Sequence, residues 1–264
     1  MGILAGKVCV LLGGGGGIGT ASALAYARAG ATVVVVDINK QLADEAVARV
    51  QAQGGEAWSA RADALEDGAL EALVSAVVQR HERLDVFHNL TSTTVLAPSV
   101  ELPLADFAKV FEATVLGQFA GAQAAARQMI AAGGGGSIIN MSSIGGHGGL
   151  PRRAAYTASA AAIVNLTKTL AVEWAPHRIR VNAIAPAWIL TDALRGYNES
   201  FPGVLDFDAL QERIPLGRFG EVDEIASVAV FLASEASSFV TGTTILADGG
   251  VTAYVGPGGR PSAQ

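Results

Sequence analysis

Apolar residues recur along this chain in two alternating patterns. Short continuous runs rich in Val, Ile and Ala are typical of strands that are buried on both faces of a parallel sheet. Longer alanine-rich segments between these runs have the length of helices. The pattern predicts strands at 7–12, 32–37, 56–61, 84–89, 137–141, 179–184 and 243–247, and helices at 18–29, 40–53, 66–80, 104–131, 155–175 and 221–233.

This alternation predicts the α/β class: a Rossmann-like, doubly wound parallel sheet of seven strands with helices on both faces. Of the 264 residues, 50% are hydrophobic, and no break rich in charge or proline divides them. We therefore predict one domain over residues 1–255. Residues 188–216 are less regular and form an insertion beside the expected substrate, and residues 256–264, rich in turn formers, form a flexible tail.

A glycine-rich turn follows the first apolar run. Five consecutive glycines, Gly13 to Gly17, precede helix-forming residues, so backbone N–H groups and a helix N-terminus can meet a pyrophosphate. The second strand ends at Asp37, where a carboxylate can bind ribose hydroxyls and repel a 2′-phosphate. No Lys or Arg lies within the turn or directly after Asp37, which favours NAD over NADP. The alternative is a flexible loop followed by a solvated charge, which would not require this order of elements.

Composition excludes several classes of partner. The net charge is −6 with 18 basic residues and no dense basic cluster, which argues against nucleic acid. The single cysteine, Cys9, excludes an internal disulfide and indicates a reducing compartment. No signal peptide or long apolar segment is apparent, so we expect a cytoplasmic protein without membrane contact. We predict no metal site.

Taken together, the motifs resemble the short-chain dehydrogenase/reductase family over residues 5–255. The cofactor turn corresponds to residues 13–19, the serine strand to residues 140–143, the nicotinamide-side loop to residues 180–191, and the end of the last strand to residues 248–250. The chain departs from the family pattern at Gly13, Thr91 and Ala187. The family usually forms tetramers or dimers, so a homotetramer or homodimer is expected, with contacts through helices 104–131 and 155–175.

The resemblance also implies which residues bind the cofactor. Asp63 would bond the adenine amine, and Ala64 would lie beside the adenine ring. The full implied set is Gly13, Gly16, Gly17, Ile18, Asp37, Ile38, Asp63, Ala64, Asn89, Pro186, Ile189 and Thr191.

Tyr156 follows Ser143 by thirteen residues and lies near the start of a helix. In the family, such a hydroxyl pair polarises a carbonyl oxygen together with an asparagine and a lysine. Those two positions hold Thr114 and Ala160 here. Because a phenol without a neighbouring ammonium is a poor base near neutral pH, ketone reduction should suffer less than alcohol oxidation.

Ala160 has two explanations. It is either an engineered replacement of lysine or a natural divergence, and the departures at Gly13, Thr91, Thr114 and Ala187 favour divergence.

Four other basic residues are candidates to replace the missing ammonium. Lys168 lies about 18 Å further along the helix and cannot reach the phenol. Arg152 and Arg153 are either solvated charges or cations at the mouth of the site. His147, in a glycine-rich loop, is either a surface residue or a border of the substrate.

The sequence thus predicts an NAD(H)-dependent dehydrogenase or ketoreductase that acts on a small, largely apolar secondary alcohol or ketone through Ser143 and Tyr156. A non-redox enzyme that catalyses elimination, isomerisation or cyclisation on the same fold is an alternative, as is an impaired cofactor-binding protein. Candidate substrate walls, which could equally cover the core, are Trp188, Leu194, Tyr197, Phe201, Leu205 and Phe207.

Overall fold

The computed structural model describes residues 2–192, 194–196 and 206–255. Its strands are β1 (Val8–Leu12), β2 (Thr32–Asp37), β3 (Ala57–Arg61), β4 (Val86–Asn89), β5 (Gly136–Met141), β6 (Ile179–Pro186) and β7 (Thr244–Ala247). Its α-helices are α1 (Gly17–Arg28), α2 (Lys40–Ala52), α3 (Ala69–His81), α4 (Leu104–Phe111), α5 (Gly117–Ala132), α6 (Ala154–Trp174), α7 (Phe207–Glu212) and α8 (Val222–Ala233). The predicted strands and helices are confirmed to within a few residues.

The seven strands form one parallel sheet in the order β3-β2-β1-β4-β5-β6-β7. The chain runs outward from β1 to β3 and then returns to place β4 beside β1. This reversal opens a crevice at the carboxyl ends of β1 and β4, where ligands bind in doubly wound folds. The predicted fold class is confirmed.

The five central strands, β1, β2, β4, β5 and β6, are largely buried on both faces, which explains why they are mainly apolar runs. Along β1, Cys9 and Leu11 pack into the core layer that contains Tyr26 of α1 and Ile225 of α8. The alternate residues of β1 pack into the opposite layer beneath α3, α5 and α6. Burial also raises the pKa of the Cys9 thiol, in agreement with its role as a core residue.

The predicted helix at 104–131 is helical throughout, but it is not α-helical throughout. A π-helical turn, Glu112–Leu116, separates α4 from α5. Its wider hydrogen-bonding pattern shifts the following side chains around the helix axis, and apolar periodicity alone does not reveal such a turn. Thr114, at the family's asparagine position, lies in this turn and is buried.

The described segments include only part of the predicted insertion. Tyr197, Phe201 and Leu205 lie outside them, as does the tail at 256–264. None of the helices within these segments has both the length and the apolar character needed to cross a bilayer.

Candidate functional site

The turn between β1 and α1 is packed so closely that it excludes most side chains. The backbone N–H groups of Gly13 and Gly14 donate to the carbonyl oxygen of Val36 at 2.8 and 2.9 Å. A Cβ on Gly19 would lie only 2.5 Å from the carbonyl oxygen of Gly14. By contrast, a Cβ on Gly16 would meet nothing within 4 Å, and Gly16 precedes α1 without a side-chain cap. The free N–H groups of the first turn of α1 therefore have space for a pyrophosphate.

Asp37 lies beside this turn at the end of β2. Its Oδ2 accepts a hydrogen bond from the backbone N–H of Gly15 at 3.0 Å, and its Oδ1 accepts one from Asn39 at 2.9 Å. The carboxylate is therefore held against the glycine turn. Sheet register places Arg61 of β3 next to Asp37. This cation is not apparent from the sequence, because Arg61 is distant from Asp37 along the chain.

Loops after β4 and β6 close on the glycine turn from two sides. A Cβ on Gly13 would lie 3.0 Å from the backbone nitrogen of Thr91, which follows β4. A Cβ on Gly17 would lie 3.3 Å from Cβ of Thr191, which follows β6. These close approaches bring three segments that are distant in sequence to one crevice.

The other predicted cofactor residues lie at the ends of strands or directly after them. Asn89 and Pro186 are the buried last residues of β4 and β6. Asp63, after β3, accepts a hydrogen bond from the backbone of Leu65 at 3.0 Å, and Ile189 is 7% exposed. Ile38, after β2, is 57% exposed. Their positions at the carboxyl edge are compatible with a shared ligand.

Three buried oxygens near the crevice lack a partner within the described part of the chain. They are Oδ1 of Asn89, Oγ1 of Thr91 and Oγ1 of Thr114. Buried polar groups are normally hydrogen-bonded, so these oxygens can receive groups of a bound ligand. Together with the open space at Gly16, they show that the residues present fit a nicotinamide dinucleotide.

Ser143 and Tyr156 lie on two segments that pack together beyond β5. Ser143 begins a 3₁₀ turn, Ile144–Gly146, and its Oγ accepts a hydrogen bond from the backbone of Gly145 at 3.1 Å. Tyr156 is half-buried in the first turn of α6. A Cβ on Gly145 would lie 3.1 Å from Cγ2 of Thr157, so the serine turn directly contacts the helical turn that carries the phenol.

Ala160 lies one helical turn beyond Tyr156 and is 3% exposed. Its carbonyl oxygen accepts a hydrogen bond from Oγ of Ser142 at 2.9 Å. A Cβ on Gly146 would lie 2.9 Å from the same carbonyl group. The backbone of α6 is therefore held tightly against the serine turn at the position where the family has its lysine.

A series of hydrogen bonds between buried side chains joins the cofactor side of the crevice at β4 to β5 and to α6, which carries Tyr156. Nδ2 of Asn89 donates to Oδ1 of Asn140 at 2.9 Å, and Nδ2 of Asn140 donates to Oγ1 of Thr167 on α6 at 3.0 Å. Gln118 of α5 bonds the backbone of Thr91 and Met141. Sequence reasoning did not identify Asn140, Thr167 or Gln118 as supporting residues. The sequence offers no signal that separates Gln118 from Gln123 and Gln128 of the same helix.

The predicted substrate walls divide between different surroundings. Trp188 lines a cleft of about 510 Å³ with Ile214 and Leu246, and neither Ser143 nor Tyr156 lines that cleft. Phe207 lies 5.0 Å from the ring of Phe219, which is buried, so it covers the core. Leu194 is half-buried, and its backbone donates to Oγ1 of Thr191 at 3.1 Å. Among the predicted wall residues that the structure describes, only Leu194 lies near the cofactor loops and remains a candidate wall.

Comparison with known proteins agrees with this fold. Residues 14–252 match the family model described as "Enoyl-(Acyl carrier protein) reductase". A curated NAD-dependent glycerol dehydrogenase of Listeria innocua is 36% identical over 220 residues, which cover 83% of this chain and 84% of that protein. A 3-oxoacyl-(acyl-carrier-protein) reductase of Thermotoga maritima is 39% identical over 248 residues, or 94% of this chain and 98% of that protein.

A solved structure is also similar. It is described as a 2-deoxy-D-gluconate 3-dehydrogenase of Agrobacterium tumefaciens with bound NADP, and it is 32% identical in sequence. The match has a TM-score of 0.86 and covers 95% of this chain and 98% of that one. These relatives include proteins named for either nicotinamide dinucleotide.

Proposed function

This chain belongs to the short-chain dehydrogenase/reductase family, and from that premise we propose that it is an NAD(H)-dependent enzyme interconverting a secondary alcohol and a ketone. The observation that carries the proposal is the contact between the turn begun by Ser143 and the first turn of α6, which carries Tyr156. Two hydroxyl groups at the crevice can then donate to the same carbonyl oxygen. The enzyme is an oxidoreductase, as its relatives are.

The preference for NAD rests on Asp37. Its two oxygens are held by Gly15 and Asn39, so the carboxylate cannot easily turn away from a ribose beside the glycine turn. A 2′-phosphate there would meet this negative charge. Lys40, three residues later, donates to Ser59 at 3.0 Å and also pairs with Asp44, which occupies its charge.

The chemistry divides between the dinucleotide and the chain. When bound, the nicotinamide supplies or accepts a hydride. Ser143 orients the substrate oxygen by donating from Oγ, and Tyr156 donates from its phenol or exchanges a proton with that oxygen. Because Ala160 supplies no ammonium beside the phenol, Tyr156 is better suited to donate to a carbonyl than to accept a proton, which favours ketone reduction over alcohol oxidation.

The test is NADH oxidation by the purified protein with a panel of ketones. Tyr156→Phe and Ser143→Ala should each lower turnover by about 10²-fold or more. Ser142→Ala is the matched control, since Oγ of Ser142 bonds the carbonyl of Ala160. It should lower the melting temperature and leave turnover within about threefold. Turnover no faster than in buffer across the panel would reject the proposed reaction.

We further propose that the chain forms a homodimer or homotetramer. Helices predicted to mediate contacts carry exposed apolar side chains, including Leu104 of α4 at 86% and Val172 of α6 at 77% exposure. Light scattering coupled to size-exclusion chromatography tests this directly. A monomer at micromolar concentration would contradict it.

A further inference from the structure

The substrate side of the crevice is free of carboxylates over long stretches of sequence. The chain has 24 Asp and Glu residues, yet none occurs in residues 86–100, 113–172 or 174–191. These stretches contain the whole loop that follows β5 and the first parts of the loops that follow β4 and β6, next to Ser143 and Tyr156. Asp37 and Asp63 lie on the other side of the crevice, after β2 and β3. Although the net charge is −6, the first acidic residues after β4 and β6 are therefore Glu101 and Asp192.

Two arginines lie at this side of the crevice. The guanidinium carbon of Arg153 lies 5.9 Å from the ring centroid of Tyr156, within the range of a cation–π contact. Arg152 is exposed, and its carbonyl oxygen accepts a hydrogen bond from the backbone of Ala97 at 3.1 Å. The loop after β4 is thereby joined to the arginine pair. His147, also exposed, adds a third basic side chain from the loop after β5.

The arginine pair combines a strained backbone with adjacent like charges, both of which are unfavourable when no ligand is bound. Arg152 has a φ of 63°, in the left-handed region that residues other than glycine rarely adopt. Neither Arg152 nor Arg153 takes part in the ion pairs found within residues 2–192, 194–196 and 206–255. Strained backbone and adjacent like charges are features that a binding role can maintain. A guanidinium also matches the two oxygens of a carboxylate with parallel hydrogen bonds.

We propose that Arg152 and Arg153 bind an anionic group of the substrate, so that the reacting ketone carries a carboxylate or a similar anion. This inference rests on the proposed function and specifies its substrate class. The position of Arg153 over the ring of Tyr156 places the anion close to the reacting carbonyl. The remainder of the substrate can still be apolar, because the charge is recognised only at the mouth of the site.

Matched pairs of ketones test the inference with the NADH-loaded enzyme. Each pair consists of a keto acid and its methyl ester, for example 4-oxo-4-phenylbutanoate and methyl 4-oxo-4-phenylbutanoate. A keto phosphonate of similar length is added to distinguish a carboxylate site from a phosphate site. The kcat/KM for the preferred anion should exceed that for its ester by about tenfold or more, since a charge-assisted hydrogen bond contributes that much. The KM for the acid should rise with salt.

Substitutions of the two arginines test whether they cause the preference for the acid over its ester. Arg153→Met and Arg152→Met keep an apolar stem but lose the charge, so each should remove about tenfold of the preference for the acid, mainly through KM. Arg153→Lys should retain part of the preference, because it keeps the charge without the planar fork. Lys168→Met is the matched control: Lys168 is an exposed cation on the same helix, about 18 Å beyond Tyr156. It should leave the ratio of acid to ester unchanged.

Equilibrium titration of the NADH-loaded protein with each acid and ester separates this inference from the proposed reaction. If ketones are reduced but no anion binds or reacts better than its ester, the inference is overturned while the oxidoreductase assignment stands. If no ketone is reduced but anions bind more tightly than esters in a manner that depends on Arg153, the anion site stands and the proposed reaction fails. Binding of neither member of any pair also overturns the inference.

Discussion

Replacing Gly121 by alanine adds one methyl group where α5 crosses the end of β4. The new Cβ would lie 2.4 Å from Oδ1 of Asn89, 2.9 Å from a ring carbon of Phe87 and 3.0 Å from Cδ2 of Leu12. All three side chains are buried. Asn89 cannot withdraw without loss, because its Nδ2 donates to Asn140 at 2.9 Å.

The expected cost follows from opposing contributions. Overpacking a buried site costs about 1–3 kcal/mol, and breaking the buried contact between Asn89 and Asn140 adds about 1–3 kcal/mol. Alanine in place of a helical glycine recovers about 1 kcal/mol. Gly121→Ala should therefore lower the free energy of unfolding by about 1–5 kcal/mol, which corresponds to a melting temperature lower by about 2–20 °C.

Circular dichroism melts with and without NADH measure this effect. Gly134→Ala is the control, since its Cβ would meet nothing within 4 Å, and its stability should change by less than about 0.5 kcal/mol. Because Asn89 ends β4 at the crevice, Gly121→Ala should also weaken NADH binding. A Gly121→Ala protein that melts at or above the temperature of the wild type would refute the described packing of α5 on β4.

Three further predictions concern the site and its surroundings. Ala160→Lys should raise alcohol oxidation near neutral pH by about 10²–10⁴-fold if the site is otherwise intact, whereas Ala161→Lys, its exposed neighbour, should not. Asp37→Asn should lower kcat/KM for NADH by about 10–100-fold and favour NADPH; an unchanged ratio contradicts the assigned role of this carboxylate. Burial lowers the pKa of His88 from 6.5 to about 3, so the unfolded chain binds a proton that the folded protein does not. Stability should therefore fall by up to about 1.4 kcal/mol per pH unit as pH drops from 6.5 towards 3. His88→Gln should reduce this slope in urea titrations at several pH values.

Much of the fold could be predicted because its signals are local. Strands buried on both faces are continuous apolar runs, so β2 was located to the residue. The glycine turn and Asp37 were recognisable from their order along the chain, because the strand, turn and helix that use them are consecutive. Ser143 and Tyr156 were found by their spacing and by resemblance to a family.

The tertiary structure decided the features that join residues far apart in sequence. Arg61 lies beside Asp37 only because β3 pairs with β2 in a particular register. Gln118 reaches Thr91 and Met141 only because α5 packs over β4 and β5.

The same division holds within the candidate site. The sequence alone determined that a serine and a tyrosine occur at the right spacing and that alanine replaces lysine at 160. The position of the Arg153 guanidinium over the ring of Tyr156 depends on the backbone conformation at the start of α6. The periodicity of apolar residues does not predict that conformation. Periodicity reports which face of an element is buried, whereas contacts between side chains depend on the relative placement of whole elements.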